Sequence, residues 1–455
     1  MIQSLKNLSG KIDARYIGKD TAITGVHIDS KKIRPNELFV AIVGTRDGHQ
    51  YIPDAINHGA SAALVSKIQE NLSVPQILVP ETQQALFDLA LAHRKTLNMP
   101  VIAITGSCGK TTTKEMLAHI LSTVGKLSYS QKSFNNHLGV PITLLSTGMD
   151  DEFLLLEAGT NSPGEIARLA TLIQPNIAGI TNIGASHLEK LLSLEGVMAE
   201  KGNLLNELPR QGTAIINIDD PYIVEYAKAL NCQKVSFSIH SDKNATITLV
   251  DFKEMALGYR YTVQVAKQLY QGTLTVYGAH NLQNAVMAIS FCYALDIGVT
   301  TAIKALENFT AYQGRSMIHQ INQNLSIIDD SYNASVQSVE SAIAALSNFN
   351  GMKILVLSSM GELGKLADFY HHKIGQQIDQ ANLDTVYLYG NQDLADCIIQ
   401  GSNGAAKYCN SKQAIIDNIK NTLDKSTPTR VVVKGARAHK MEEISQNLIC
   451  FYKNA

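Results

Sequence analysis

The chain has 455 residues, of which 45% are hydrophobic and 17% are charged, and its formal net charge is −1. This length exceeds what one ordinary core supports, so we expect two or three domains, and the balanced charge excludes a global electrostatic field that favours nucleic acid. No apolar run approaches the roughly 18 residues of a membrane span, the N-terminus has no signal-peptide segment, and the six cysteines are scattered, so we expect a cytoplasmic protein with reduced thiols.

The first 81 residues predict a small α/β domain. Residues 25–28, 37–42 and 62–65 read as short strands separated by turns and one helix. Ser30 and Lys31 follow the first of these strands at a turn, a common position for phosphate contacts. From this segment alone, a solvated charged turn is the better-supported interpretation.

A phosphate loop opens the second predicted domain, residues 82–311. Residues 100–114 read PVIAITGSCGKTTTK, an apolar strand followed by a glycine turn, a lysine, three threonines and a helical pattern. Such a turn directs backbone N–H groups and a helix N-terminus at phosphate oxygens. The first glycine comes two residues later than in the usual motif, so the loop is shorter. A plain turn before a helix would not explain the lysine and the hydroxyls. The predicted nucleotide contacts are Gly106, Ser107, Cys108, Gly109, Lys110, Thr111 and Thr112, with Thr111 also a Mg²⁺ ligand.

Polar residues also follow two further strands of this domain. Glu157 ends an apolar strand, which is the position of an acidic Mg²⁺ ligand, and His187 comes just after the strand at 177–182. The paired Asn135 and Asn136 precede Gly-x-Pro in a loop that could present amides to a ligand. A solvated strand end, a structural histidine and a plain turn remain the respective alternatives.

The rest of the second domain adds a helix, strands and a second helix. Lys201 lies in a helix that begins after residue 194, and a surface lysine is the alternative there. Residues 234–277 alternate in period two and predict antiparallel strands appended to the parallel core. Asn281 begins the next helix, where helix capping is the competing interpretation.

Residues 312–455 predict a third, Rossmann-like domain. Strands at 326–328, 353–357, 386–389 and 430–433 alternate with helices, so a mostly parallel sheet is expected. Polar clusters follow the strands at their C-terminal ends, where open α/β sheets bind ligands.

Taken together, these stretches resemble the Mur ligases of bacterial cell-wall synthesis over essentially the whole chain. The resemblance is carried by TGSCGKTTTKEM, EAGTNSPGEI, NIGASHLE, AEKGN, GAHNLQNA and DDSYNAS. It is closest to the members that add D-alanyl-D-alanine to UDP-N-acetylmuramoyl-tripeptide, because the loop reads GSCGKTTTKEM and an Asp-Asn-Pro-Arg motif is absent from the last third. Lys31 stands where arginine is commoner, which keeps the charge but loses bidentate phosphate contact.

The resemblance implies a fold of three α/β domains: a UDP-binding N-terminal domain, a central P-loop-type ATPase domain and a Rossmann-like C-terminal domain. It implies an ATP- and Mg²⁺-dependent ligase that works through an acyl phosphate, as a monomer on small-molecule substrates, with open and closed domain arrangements. The implied catalytic residues are Lys110, Lys201, His187 and Arg315. The implied metal ligands are Thr111, Glu157, His187 and a carbamylated Lys201. Nucleotide contacts would include Asn281, Arg315 and Asp330. Substrate contacts would be Ser30, Lys31, Asn135, Asn136, Thr160, Asn161, Asn333, Ser335, Lys434 and Arg437.

Three other interpretations remain open at this stage. A different amide ligase on the same scaffold would accept another amine. A P-loop protein that uses nucleotide as a binding switch would turn over ATP without a carboxylate acceptor. A Rossmann-type dehydrogenase is disfavoured, because no G-x-G-x-x-G follows its first strand.

Overall fold

The computed structural model describes residues 3–241, 245–424 and 426–453. Its described strands form three large sheets of five, nine and six strands, together with one two-stranded sheet. The large sheets follow one another along the chain. The predicted domain boundaries at 81/82 and 311/312 fall between them and stay a proposal.

The N-terminal part is built on the five-stranded sheet, in the order β2-β7-β6-β5-β4. Its elements are β1 (Gln3–Ser4), α1 (Leu5–Ser9), β2 (Arg15–Ile17), β3 (Ala22–Ile23), β4 (Gly25–His27), β5 (Glu37–Val40), α2 (Ile52–Asn57), β6 (Ala62–Val65) and β7 (Gln76–Leu78), with a 3-10 turn at Gly48–Tyr51. Strands β4 to β7 are parallel, and their apolar residues, apart from the half-buried Leu78, are buried on both faces. This double burial explains why these strands read as short continuous apolar runs.

The central part is built on the nine-stranded sheet, in the order β16-β15-β14-β13-β12-β11-β8-β10-β9. Its strands are β8 (Val101–Thr105), β9 (Leu127–Tyr129), β10 (Phe153–Glu157), β11 (Ile177–Ile180), β12 (Thr213–Asn217), β13 (Gln233–Ser238), β14 (Ile247–Glu254), β15 (Tyr259–Val265) and β16 (Gln268–Leu274). Its helices are α3 (Thr82–Arg94), α4 (Lys110–Leu121), α5 (Gly139–Ser146), α6 (Glu165–Ile173), α7 (Leu188–Leu191), α8 (Leu194–Asn206), α9 (Pro221–Ala227), α10 (His280–Ala294) and α11 (Val299–Glu307).

The prediction of antiparallel strands over 234–277 was wrong in its first part. Strand β13 pairs parallel with β12, and β14 pairs parallel with β13, whereas only β14, β15 and β16 pair antiparallel. The reason is that α9 connects β12 to β13 as a crossover helix, which makes β13 a further strand of the parallel core. An alternating apolar and polar pattern indicates a half-buried strand, but it does not indicate whether the adjacent strand in the sheet is parallel or antiparallel.

The C-terminal part is built on the six-stranded sheet, in the order β17-β18-β22-β19-β20-β21. Its elements are β17 (Met317–Gln320), β18 (Leu325–Asp330), α12 (Val336–Ser347), β19 (Met352–Ser358), α13 (Ala367–Gln380), β20 (Thr385–Tyr389), α14 (Gln392–Gly401), β21 (Ala406–Tyr408), α15 (Lys412–Thr422), β22 (Thr429–Lys434) and α16 (Glu442–Lys453), with 3-10 turns at Gly364–Leu366 and Arg437–His439. All pairings except β17 with β18 are parallel, as the alternation of strands and helices predicted. Among the described residues, no helix is both long enough and apolar enough to cross a bilayer.

Candidate active site

The site lies where strands of the central and C-terminal sheets end. Strands β8, β10 and β11 are parallel neighbours, so the residues that follow them meet at one sheet edge. Between this edge and the C-terminal sheet is a cavity of about 680 Å³. Most predicted site residues line it, namely Ser107, Cys108, Gly109, Lys110, Thr111, Thr112, Asn135, Asn136, Glu157, Thr160, Asn161, His187, Asn281, Arg315, Asp330, Asn333, Ser335 and Lys434. The sequence therefore predicted which strand ends meet.

The phosphate loop joins β8 to α4 through two left-handed glycines. Gly109 has φ +81° and precedes the first turn of α4, and Gly106 has φ +148°. A Cβ atom at Gly106 would lie 1.9 Å from the Thr181 hydroxyl, so only glycine fits there. The ammonium of Lys110 folds back and donates to the carbonyls of Gly106 (2.6 Å) and Ser107 (3.2 Å). Burial lowers the pKa of Lys110.

Glu157 is the acidic group beside Thr111 at the start of α4, and one of its oxygens has no partner among the described residues. Its Oε1 accepts from Asn135 Nδ2 at 2.7 Å and from the Thr111 hydroxyl at 3.3 Å. Its Oε2 is buried and has no hydrogen-bond partner among the described residues. A buried carboxylate oxygen beside a threonine hydroxyl fits a hard cation such as Mg²⁺, which prefers oxygen ligands and completes its octahedron with water and substrate phosphates.

No group of three or more His, Cys, Asp and Glu side chains in the described part of the chain could hold a metal ion by itself. His187 is paired with a carboxylate of the C-terminal part. Its Nδ1 lies 2.6 Å from Glu362 Oε2, in the C-terminal part. The hydrogen bond from His187 holds the pKa of Glu362 below its usual range.

The sequence prediction missed Glu362 as a site residue. It lies in the polar cluster that follows β19, which the sequence marked as a strand end. Its partner, however, belongs to another sheet, and no local pattern reports which loops meet across two domains.

Lys201 lies on α8 and is almost completely buried. Burial, reinforced by the positive charge of Lys110, lowers the pKa of Lys201 to about 7. This burial distinguishes Lys201 from the ordinary surface lysine that the sequence left as the alternative.

The start of α10 carries a buried amide chain. Asn281 Nδ2 donates to the Tyr277 carbonyl at 2.7 Å, and Asn284 Nδ2 donates to Asn281 Oδ1 at 2.9 Å. Burial lowers the pKa of the adjacent His280 to about 4, so this wall of the cavity is uncharged. Neutral donors and acceptors in fixed orientation suit a heterocyclic base rather than a phosphate.

Asp330 and Lys434 form an ion pair at the end of the C-terminal sheet. They are register partners on β18 and β22, and Lys434 Nζ donates to Asp330 Oδ2 at 2.7 Å and to the Asn333 carbonyl at 3.1 Å. Asp330 Oδ1 accepts from the Ser316 backbone N–H at 3.0 Å. The pair fixes both side chains against the cavity.

Five predicted site residues do not line the cavity: Ser30, Lys31, Gly106, Lys201 and Arg437. Ser30 is buried and Lys31 exposed in the N-terminal part. Arg437 is held by Glu442 at 2.8 Å. The Gly106 carbonyl accepts from Lys110, and Lys201 is buried on α8.

The C-terminal part touches the phosphate loop directly. Arg315 Nη2 donates to the Thr111 hydroxyl at 3.2 Å, and its guanidinium stacks 4.1 Å from the centroid of the Tyr332 ring. Cys108 Sγ lies 2.8 Å from Ser335 Oγ. A positive charge from a separate domain therefore faces the place where a triphosphate tail would end.

A three-part α/β fold with a phosphate loop, an acidic strand end and a guanidinium from another domain around one cavity defines a nucleotide-dependent enzyme. Comparison with family models identifies three successive segments: the "Mur ligase family, catalytic domain" over residues 22–94, the "Mur ligase middle domain" over 104–292 and the "Mur ligase, glutamate ligase domain" over 314–437.

The full-length relatives agree with these segments. The UDP-N-acetylmuramoyl-tripeptide–D-alanyl-D-alanine ligase of Escherichia coli K12 is 34% identical over 98% of both chains, and that of Bacillus subtilis 168 is 33% identical over 95% of this chain and 94% of its own. A crystal structure of MurF from Acinetobacter baumannii superposes with a TM-score of 0.91 at 27% identity over 99% of both chains. MurF ligase from Thermotoga maritima in complex with ADP gives 0.84 at 25% identity, covering 94% of this chain and 98% of that one.

The chain belongs to the Mur ligase family. The family resemblance and the three-part α/β fold predicted from the sequence are both confirmed.

Proposed function

We propose that this chain is an ATP-dependent ligase that joins D-alanyl-D-alanine to a UDP-N-acetylmuramoyl-tripeptide, releasing ADP and phosphate and giving the pentapeptide precursor of peptidoglycan. The observation that carries the proposal is the convergence of Lys110, Thr111, Glu157 and Arg315 on one cavity. The substrates are those in the names of the relatives that match nearly all of the chain.

The acceptor is a peptide with more than one carboxyl group. A ligase of UDP-N-acetylmuramoylalanyl-D-glutamyl-2,6-diaminopimelate from Acinetobacter baumannii superposes on this chain with a TM-score of 0.86 at 27% identity. We propose that the acceptor of this chain has the same first two residues, alanine and D-glutamate, and that its third residue is lysine or diaminopimelate.

The reaction has two steps. In the first step, an acceptor carboxylate oxygen attacks the γ-phosphorus of ATP. The bond between this phosphorus and the oxygen bridging to the β-phosphate breaks, ADP departs, and the acceptor becomes an acyl phosphate. The dipeptide amine then attacks the acyl carbon, the C–O bond to phosphate breaks, and an amine proton is lost. The first step brings two anions together, so fixed positive charge is its main requirement.

Lys110 and Arg315 supply that charge. In the structure the Lys110 ammonium donates to two carbonyls of the phosphate loop. A bound phosphate is a stronger acceptor, so we expect the ammonium to donate to it when ATP binds. Arg315 is stacked on Tyr332 and so is already oriented before substrate arrives. An acyl phosphate is destroyed by water, which is why the cavity must be enclosed between domains.

Mg²⁺ would be held by Thr111 and Glu157, with Glu157 and His187 serving a second ion and a carbamylated Lys201 adding an oxygen donor. Bound Mg²⁺ would neutralise phosphate charge. Carbamylation of Lys201 would replace a cation that repels Mg²⁺ with an oxygen donor. In that reaction the neutral amine attacks CO₂, a C–N bond forms and a proton is released. Its lowered pKa of about 7 supports this chemistry. A carbamate carbon signal after labelling with ¹³C-bicarbonate, absent from Lys201→Ala, tests it; no such signal would refute it.

The remaining predicted roles are part of the same proposal. Residues Gly106–Thr112, Asn281 and Asp330 would contact the nucleotide, Ser30 and Lys31 the UDP group, Asn135, Asn136, Thr160 and Asn161 the muramoyl peptide, and Asn333, Ser335, Lys434 and Arg437 the dipeptide. We also propose domains at 1–81, 82–311 and 312–455 and a cytoplasmic monomer.

An amine panel tests the reaction. The purified protein is incubated with ATP, Mg²⁺ and UDP-N-acetylmuramoyl-tripeptide, together with D-alanyl-D-alanine, L-alanyl-L-alanine or single amino acids, and products are identified by mass spectrometry. We expect the pentapeptide only with the D,D-dipeptide. Equal ligation of another amine would assign the chain to a different amide ligase.

A further inference from the structure

One wall of the cavity carries a guanidinium that none of the roles above uses. Arg168 lies on α6 and lines the cavity. Its Nη2 donates to Gln84 Oε1 at 2.8 Å, and its Cζ lies 5.0 Å from the centroid of the Phe87 ring. Both partners lie on α3. A neutral amide and an aromatic face orient the guanidinium without neutralising it, and most of its five N–H donors remain for a ligand.

Other cations of the cavity are already engaged. Lys110 binds carbonyls of the phosphate loop, Arg315 binds Thr111, and Lys434 is paired with Asp330. No ion pair of Arg168 is found in the described part of the chain. An oriented, unneutralised guanidinium on a cavity wall is a site for an anion, and a carboxylate matches its planar donors.

The nearest acidic residue on the same helix does not compete for Arg168. Glu165 lies one turn earlier, and its Oε2 accepts the backbone N–H groups of Asn161 (2.6 Å) and Ser162 (3.2 Å). The Glu165 carboxylate therefore hydrogen-bonds to the backbone of the loop before α6 and does not pair with Arg168.

Arg168 lies where we expect the acceptor peptide to run, between the N-terminal part that would bind its UDP group and the phosphate loop. Gln83, the neighbour of Gln84, lines the cavity and donates through Nε2 to the Val43 carbonyl of the N-terminal part at 3.0 Å. On the other side, the loop that precedes α6 contains Thr160, which comes three residues after Glu157. Arg168 thus lies between the N-terminal part and the phosphate loop.

We propose that Arg168 binds a non-reacting carboxylate of the acceptor peptide and so helps to set acceptor specificity. The inference rests on the proposed function. An alanyl-glutamyl acceptor keeps one glutamyl carboxyl free after peptide-bond formation, and a diaminopimelyl third residue adds another. Arg168 would hold this group and thereby direct the reacting carboxylate toward the phosphate loop.

Binding of the acceptor measured by calorimetry tests the proposal without turnover. The proteins are wild type, Arg168→Ala, Arg168→Lys and, as a matched control, Arg260→Ala, whose arginine is exposed on β15 outside the cavity. We expect Arg168→Ala to weaken acceptor binding about tenfold, the loss of one charge-assisted contact at an exposed site. Arg168→Lys should recover part of the affinity, and ATP binding and the control should be unchanged.

Modified acceptors identify the carboxylate. An acceptor whose glutamyl carboxylate is an amide should bind wild type and Arg168→Ala equally, whereas the lysine and diaminopimelate acceptors should show the same tenfold effect. If amidation of the diaminopimelyl carboxylate abolishes the difference instead, the partner is the third residue. Equal binding of the unmodified acceptor to wild type and Arg168→Ala overturns the inference. A wild type that ligates no acceptor refutes the proposed function instead.

Discussion

Glu157 illustrates how a single buried side chain organises the site. Its Oε1 accepts hydrogen bonds from Asn135 and Thr111, and its Oε2 has no partner within the described residues. A buried carboxylate oxygen left without a donor is costly unless a ligand completes it. Its role therefore depends on charge more than on shape.

Substitution of Glu157 by glutamine separates charge from shape. We expect Glu157→Gln to retain the fold but to lower the ligation rate about 100-fold or more at moderate Mg²⁺, because an amide is a poor ligand for a hard cation. Rates measured across a Mg²⁺ titration check this. Glu207→Gln, an exposed residue after α8, is the control. An unchanged Mg²⁺ requirement in Glu157→Gln would contradict the assignment.

His280 makes folding stability depend on pH. Its pKa falls from 6.5 to about 4 in the folded protein because burial disfavours the charged ring. The unfolded chain therefore binds more protons between these values, and the free energy of unfolding decreases as the pH is lowered from 6.5 to 4. Urea midpoints at several pH values should fall less steeply in His280→Gln than in wild type. The control His240→Gln, which changes an exposed histidine, should keep the wild-type slope. Identical slopes for wild type and both variants would show that His280 does not cause the pH dependence of stability.

At the scale of elements, helix α4 supports the neighbouring loop as well as the phosphate site. Lys114 on this helix is fully buried, and its ammonium donates to the carbonyls of Ser130 (2.6 Å) and Lys132 (2.8 Å). The same loop carries Asn135, which binds Glu157. One helix therefore positions both sides of the predicted metal site.

Removal of this ammonium should loosen the loop. We expect Lys114→Met to lower the free energy of unfolding by about 2 kcal/mol or more, since two carbonyls lose a charged donor. Urea denaturation with an unchanged m-value measures it, and Lys304→Met, exposed on α11, serves as control. Equal midpoints for both variants would show that the loop does not need Lys114.

The elements also show what a sequence can and cannot predict. The strand at β10, which ends at Glu157, and the glycine turn before α4 are local patterns, and both were predicted from the sequence. The parallel pairing of β13 was missed because it depends on the course of α9. Glu362 and Arg168 were missed because their partners lie on other elements, and their contacts depend on packing rather than on neighbouring letters.

At the scale of the whole molecule, contacts across the cavity hold the C-terminal part against the phosphate loop. They involve Cys108 with Ser335, Thr111 with Arg315 and His187 with Glu362. Further polar contacts between the two parts join Ser133 to Tyr332 and Arg430 to Glu254. Polar contacts of this kind are typical of an interface between domains that open and close.

We therefore expect closure on ligand binding to be measurable in solution. Small-angle scattering should give a smaller radius of gyration with ATP, Mg²⁺ and UDP-tripeptide than without ligands. Glu362→Ala, which removes one cross-domain contact, should need more ligand to reach the compact state. A radius that stays the same with all ligands bound would argue against domain closure.

The most direct test of the central claim is ADP release with each substrate omitted in turn. The claim is that residues from separate domains converge so that a carboxyl group is activated by ATP and transferred to an amine. Sustained ADP release should require both UDP-tripeptide and D-alanyl-D-alanine, and Lys110→Ala should abolish it. ADP release that continues at the same rate without any carboxylate acceptor would contradict the account.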